Sequence, residues 1–271
     1  MTVIKLRDDK LPSGESMYVT IAMSPTPPRD TRIWRYTDLT KLLSLLDSKQ
    51  LFFASILNMS DLYEGYIPVP NFEQYRDFRL YEQEYAGVTD ENVRCVYDWD
   101  VKWTKETRKC VFVNCWHENE DESAAMWKLY LSNAEGVAIQ STVGRLIDAI
   151  SEAPESVGIC KVEYVDYTTT PPCDNLWQRA IHKRRSFSHE REVRAIHLKN
   201  DHVEKMEGEC VEAYKLLAGV PIAANVEALI ENIYVAPTCP TWMKNTIQSA
   251  VAKFGLNRSV CQSTLGEGPV W

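Results

Sequence analysis

The chain has 271 residues, of which 45% are hydrophobic and 25% charged, and its formal net charge is −8. Such a length and composition fit a globular protein that buries a sizeable core, and no low-complexity run or fixed-period repeat interrupts it. The acidic balance excludes a general affinity for nucleic-acid backbone, which requires an excess of Lys and Arg.

The first residues, "MTVIKLRDDKLPSGESMYVTIAM", lack the apolar core of a secretory signal or membrane anchor, and no apolar run reaches bilayer-spanning length. Ile33 to Tyr36 is aromatic enough for a short strand, and Thr37 or Asp38 can cap a helix with Leu39, Leu42, Leu43 and Leu46 at helical spacing. "LFFAS" reads as a second strand and "NMSDLYEG" as a polar loop. Residues 71 to 109 are acidic, aromatic and weakly periodic, and read as helical pieces. "KCVFVNCW" is a buried strand, "HENEDES" a charged loop, and "SAAMWKLYL" a helix with Trp127 and Leu131 on one side and Met126 and Tyr130 on another. "EGVAIQS" is a strand, followed by a helix whose stripe is Val143, Leu146, Ile147 and Ile150. "VGICKVEYVDY" is a strand, "PPCDNLWQRAIHKRR" a stop followed by a helix, and "EREVRAIHL" a strand. Ile233 to Val235 is a short strand, and Met243, Ile247, Val251 and Phe254 form the buried stripe of a last helix that Gly255 stops.

Strands and helices are mixed without strict alternation, so the fold class expected is α+β. The chain is read as a single domain over 1–271, with an extension over 1–30, a core over 33–235, and a C-terminal helix and tail over 236–271. The eight cysteines are scattered without a CxxC pair and read as reduced core residues of a cytoplasmic protein. Cys115 and His117 share a strand face, but no second ligand pair accompanies them, and no metal site is assigned.

No GxGxxG, P-loop, HExxH or GxSxG motif is present. What remains is "RRSFSHEREVRAIHL", where Glu190 and Glu192 stand two apart. On a strand they point the same way, roughly 7 Å apart at Cα, and one of them would then have a raised pKa and serve as acid or base. The plainer reading is an exposed edge ladder of Glu190, Glu192 and Arg194. His182-Lys183-Arg184-Arg185 is the best candidate for a local basic patch, and its plainer reading is a solvated face. Arg35 in "IWRY" is either an edge charge or a fixed anion ligand. Ser141 and Thr142 end a strand, where they brace a neighbouring group or cap the next helix. Trp34, Tyr36, Trp116, Trp127 and Tyr130 read as core, with one of them able to stack on a flat ring, and His117, His189 and His197 show no partner pattern.

The stretches "IWRYTDLTKLLSLLDSKQLFFASILNMSDLYEG", "ESAAMWKLYLSNAEGVAIQST", "VEYVDY" and "SFSHEREVRAI", in that order, resemble a bacterial family known only as a domain of unknown function. Its marks are an Asn-Asp-x-x-Glu-like loop, a Met-Trp-x-x-Tyr helix and a late Glu-x-Glu-x-Arg strand. A more distant resemblance is to ADP-ribosyltransferase-like toxins, carried by Arg35, then Ser141-Thr142, then Glu190-Arg191-Glu192. The middle element departs from the Ser-Thr-Ser pattern. That resemblance implies a split mixed or antiparallel β core with surrounding helices, and NAD as the nucleotide taken up. It sets Arg35 and Tyr36 on that nucleotide, Ser141 and Thr142 beside Glu192, Glu192 on the ribose 2′-hydroxyl, and Glu190 on an acceptor that is protein, nucleic acid or water. The activity implied is that of a toxin or phage-defence effector. A non-catalytic binding module and a metal-dependent nuclease are the alternatives.

Overall fold

The computed structural model describes residues 26–68, 71–81, 89–130, 136–171, 173, 176–199 and 216–268. The expected strand–helix–strand opening is present as β1 (Arg32–Asp38), α1 (Leu39–Ser48) and β2 (Gln50–Ser55). Asp38 makes the cap, accepting the Lys41 N–H at 2.7 Å. Residues 71 to 109 yield α2 (Phe72–Tyr81) and α3 (Asp90–Thr107). Then follow β3 (Val111–Glu118), α4 (Ala124–Tyr130), β4 (Gly136–Thr142) and α5 (Val143–Ile150). The middle of the chain adds β5 (Val157–Lys161), β6 (Glu163–Val165), α6 (Leu176–Ile181), β7 (His182–Arg184) and β8 (Glu192–Leu198). The last elements are β9 (Gly219–Ala223), α7 (Val226–Leu229), β10 (Asn232–Val235), α8 (Thr241–Lys253) and β11 (Val260–Gln262).

The architecture is α+β around a mixed sheet of nine strands, with β6 and β7 forming a separate parallel pair. β3 is the branch point. One edge pairs with β8 along Val111 to His117, in antiparallel register. The other edge is shared: β2 takes Phe112 and Val113, while β1 takes His117 and Glu118. The sheet is thus split, with β1, β4, β10 and β11 on one side of the seam and β2 and β9 on the other.

Alternation along the strands sorts the two faces. Phe112 and Trp116 of β3 join Ile33, Phe53, Ile139 and Val193 under Leu42, Leu46, Leu146, Ile247 and Val251, the buried stripes of α1, α5 and α8. Val111 and Val113 turn the other way, with Cys160 and Ile196, against Trp177, Ala180 and Ile181 of α6. The stripe expected on α8 stops one turn early. Phe254 is the residue just beyond the helix and is 40% exposed, and Gly255 at φ 79° turns the chain directly after it.

Two short sequence runs differ from expectation. "NMSDLYEG" starts on the last residue of a 3₁₀ turn (Ile56–Asn58) and continues into a turn in which Asp61 and Glu64 are fully buried. In the basic run, His182 and Lys183 are buried as well, because β7 runs inward beside β6.

Gly219 pairs with Ala54 where β9 joins β2, and a Cβ there would run into the Phe53 carbonyl oxygen and the Phe52 ring. Gly219→Ala is expected to lower stability by about 1–3 kcal/mol, read as a lower urea midpoint at unchanged m-value.

Candidate functional site

The face of β3 and β8 that packs on α6 becomes polar toward the end of β3 and the start of β8. Arg194 lies opposite Cys115, and Glu192 opposite His117. Arg194 is fully buried and grips Glu192 with two bonds, Nε to Oε1 at 2.8 Å and Nη2 to Oε2 at 2.9 Å. The same Nη2 reaches Glu64 Oε2 at 2.7 Å, and Nη1 donates to the Ala180 carbonyl at the end of α6. Lys183 of β7 completes the cluster. Its Nζ lies 2.7 Å from Glu190 Oε2, 3.2 Å from Glu192 Oε2 and 3.2 Å from Glu64 Oε1. The last contact is close enough for an ion pair but lacks hydrogen-bond geometry, so Glu64 Oε1 has no hydrogen-bond partner.

Glu190 and Glu192 are only 6% and 5% exposed, and β8 is paired on both sides, by β3 and β5. The exposed edge ladder is therefore ruled out. So is the shared strand expected for the pair. Glu190 ends a 3₁₀ turn (Arg185–Glu190), Arg191 is left-handed at φ 40°, and β8 begins only at Glu192. The two acids face one lysine because the chain reverses between them. Three contacts fix that reversal. The His117 Nδ1–H donates to the Glu190 carbonyl at 2.6 Å, the Glu118 N–H to the Arg191 carbonyl at 2.9 Å, and the Glu192 N–H to the Tyr164 hydroxyl at 2.9 Å. Because a carbonyl only accepts, the first bond fixes the His117 tautomer.

The electrostatics also differ from the raised carboxyl expected. Burial alone would raise the Glu192 pKa, but Arg194 and then Lys183 outweigh it and hold the carboxyl down at about 2. Burial would lower Lys183, but Glu192 and Glu64 push it above the ordinary lysine range. The Cys115 thiol is pushed well up by burial and by the neighbouring Glu192, with which it also hydrogen-bonds. Tyr130, at the end of α4, is raised by burial of its hydroxyl end and then by Glu190, Cys115 and Glu192, although the residue is 49% exposed.

Arg35 comes to the same place from β1. At the seam, where neither β1 nor β2 pairs with the middle of β3, its Nη1 donates to the Cys115 carbonyl at 3.1 Å, and the guanidinium lies 5.9 Å from the Trp116 ring. Among the described residues Arg35 has no carboxylate within ion-pair distance. Burial lowers its pKa, opposed by Cys115 and Tyr130. Arg35 thus feels Cys115 and Tyr130, Tyr130 feels Glu190, Glu192 and Cys115, and Cys115 feels Glu192.

The other candidates lie elsewhere. Ser141 is buried and donates to the Leu229 carbonyl at 2.6 Å. Thr142 caps α5, accepting the Arg145 N–H at 3.2 Å. Glu192 has its bracing from Arg194 and Lys183, and neither hydroxyl takes part in it. Tyr36 is 8% exposed; its ring packs edge-on against Trp127 at 5.1 Å, and its hydroxyl accepts the Ser123 N–H at 2.7 Å. In the acidic loop, Glu118 pairs with Lys161 at 2.7 Å, while Glu122 takes the Trp127 indole N–H at 2.9 Å and the Thr264 N–H at 3.1 Å. Among the described residues no three His, Cys, Asp or Glu side chains are grouped to hold a metal ion.

Sequence reasoning passed over Glu64, Cys115, Tyr130, Lys183 and Arg194 as site residues. Three of them stood in the motifs that carry the family resemblance: the loop (Glu64), the Met-Trp-x-x-Tyr helix (Tyr130) and the Glu-x-Glu-x-Arg element (Arg194). Asp61 of the same loop holds the lysine strand in place, accepting the Arg184 Nε–H at 2.8 Å and its backbone N–H at 3.2 Å.

No protein-family model and no curated protein matches the chain. Among solved structures it is similar to DarT of Thermus sp. 2.9. The complex with NAD+ matches at TM-score 0.39 and 11% identity, over 88% of this chain and 98% of that one. The complex with ADP-ribosylated ssDNA matches at TM-score 0.38 and 12% identity, over 89% and 98%. The complex with carba-NAD+ gives TM-score 0.35 and 10% identity, over 87% and 96%. Likenesses at these scores carry neither the fold nor the chemistry of this chain, which rest on its own geometry. No described helix is long and apolar enough to cross a membrane.

Two outcomes are expected for the charge cluster. Lys183→Met takes the lysine from Glu190 and leaves Glu64 and Glu192 to share one arginine, and should cost about 3–5 kcal/mol in urea unfolding. Glu192 is held at about 2 against an ordinary value of 4.5, so its contribution is full above pH 4.5 and is lost as pH falls toward 2. Stability should drop by about 3 kcal/mol across that window, and Glu192→Gln should remove most of the slope.

Proposed function

We propose that the chain is an ADP-ribosyltransferase-like enzyme that takes NAD+ and breaks its nicotinamide–ribose bond. The observation behind this reading is a pairing of opposites at the seam. A desolvated arginine on β1, with no carboxylate partner among the described residues, bonds the Cys115 carbonyl, and the Cys115 thiol bonds Glu192, which shares Lys183 with Glu190. An anionic group on a ligand is the natural partner of such an arginine, and a diphosphate supplies it. A carboxylate close to the ligand's ribose then favours the positive charge that develops as the glycosidic bond lengthens.

The hydrogen bonds divide the two acids by role. Both Glu192 oxygens are engaged, by Arg194 twice and by Lys183 once, so Glu192 serves as the fixed counter-charge. Glu190 bonds Lys183 through Oε2, and Oε1 has no hydrogen bond among the described residues. Glu190 Oε1 is therefore the oxygen assigned to the ribose 2′-hydroxyl, a bond that strengthens in the transition state as in glycoside hydrolysis. Tyr130, half exposed beside both acids, offers a ring face to a planar group. The electron pair of the broken bond leaves with nicotinamide. A lone pair of the acceptor forms the new bond, and Glu190 takes the acceptor's proton. The protonated Cys115 thiol is not a nucleophile in this scheme.

The low exposure of Glu190 and Glu192 favours one other reading, a binding module in which the charge cluster only holds the fold. Nicotinamide release from NAD+ by the full chain separates the two. The enzyme reading expects turnover, a drop of about 10²–10³ in Glu190→Gln with an unchanged unfolding midpoint, and a raised KM in Arg35→Ala. No turnover by the wild-type chain, or full turnover by Glu190→Gln, would overturn it.

A further inference from the structure

A second group of reactive side chains lies on the β6–β7 pair. Cys173, in the connection between β6 and α6, places Sγ 3.9 Å from His182 Nδ1. The other ring nitrogen, Nε2, lies 3.6 Å from Glu163 Oε2, and Glu163 and His182 are register partners across the two strands. A carboxylate only accepts, so Glu163 favours the tautomer with hydrogen on Nε2. That tautomer turns the Nδ1 lone pair toward the thiol. The three therefore stand as nucleophile, base and orienting acid.

The surroundings hold the thiol and the imidazole in place. Arg179 Nε donates to the Cys173 carbonyl at 2.7 Å, and the Tyr167 hydroxyl donates to the His182 carbonyl at 3.2 Å. Burial lowers the His182 pKa, so the imidazole is a neutral base at ordinary pH. Glu163 keeps 47% of its side chain exposed, which opens this end of the group to solvent. Cys173 itself is 9% exposed, whereas Cys110 and Cys160 are 2% and 0% exposed.

We propose that Cys173, His182 and Glu163 form a nucleophilic thiol site for unsaturated carbonyl compounds, independent of the NAD+ reading. In that reaction His182 Nδ1 takes the thiol proton as sulfur bonds to the β-carbon. The double-bond electron pair moves toward the carbonyl, and the proton returns to the α-carbon. The product is a thioether, with no oxidant or further reactant required.

The test is labelling of the native full chain with N-ethylmaleimide, read site by site by peptide mass spectrometry. Cys173 should react at least about tenfold faster than Cys110 and Cys160, and His182→Gln should slow it about tenfold. Glu163→Gln, at a half-exposed position that leaves the fold intact, should slow it about threefold and shift its pH–rate profile, with Cys261 unchanged in both variants. Labelling of Cys173 no faster than that of Cys160, or a rate unmoved by both substitutions, would overturn the proposal.

Discussion

Burying the Arg194 guanidinium is the constraint around which this molecule is arranged. A cation at 0% exposure is tolerable only with its donors met, and three different parts of the chain accept them: Glu192 beside it, Glu64 from the turn after β2 and Ala180 at the end of α6, while Lys183 shares the same carboxylates. The charge cluster sets the positions of these segments relative to β8, and Asp61 repeats the device one layer out by holding Arg184. A group of this kind contributes specificity of arrangement more than net stability, since its desolvation cost offsets much of its attraction.

The site follows from a second feature, the shared edge of β3. Because β1 and β2 each use a different part of that edge, the backbone between them is left without a strand partner. Side chains fill the opening. Arg35 bonds the Cys115 carbonyl, and Asn114 donates to the Phe52 carbonyl at 2.9 Å. An arginine used this way satisfies a backbone acceptor and still keeps donors to spare. A local irregularity in the sheet thereby brings a positive group onto the carbonyl of a residue whose thiol bonds Glu192.

Much of the fold was legible in the amino-acid order, for an identifiable reason. Leu42 and Leu46, Val143 and Leu146, and Ile247 and Val251 recur at helical spacing, and each pair marks a stripe that packs on the sheet. The alternation Phe112, Val113 and Trp116 is explained by a strand covered on both faces. The site was legible only in part. Arg35 and the two glutamates could be picked out because charged residues flanked by Trp, Val and Ile need an explanation. Their partners could not. Lys183 sits in a run of four basic residues that reads as surface, and Glu64 in a polar turn that reads as solvent-facing. What buries them is tertiary pairing, β7 alongside β6 and the turn against β8, which no local periodicity encodes. The Ser141-Thr142 step misled for the opposite reason. Its chemistry is ordinary at a strand–helix junction, and the structure uses it for a carbonyl bond and a cap.

The left-handed Arg191 carries a consequence for variation at that position. Its φ of 40° is reached readily by Gly, Asn or Asp, and by unbranched side chains at modest strain, but branching at Cβ makes it prohibitive. Evolutionary drift at the residue between the two acids should therefore sample flexible or unbranched choices and avoid Val, Ile and Thr. That bias would leave a record of the hairpin-like reversal in a place where a straight strand would have shown the reverse preference.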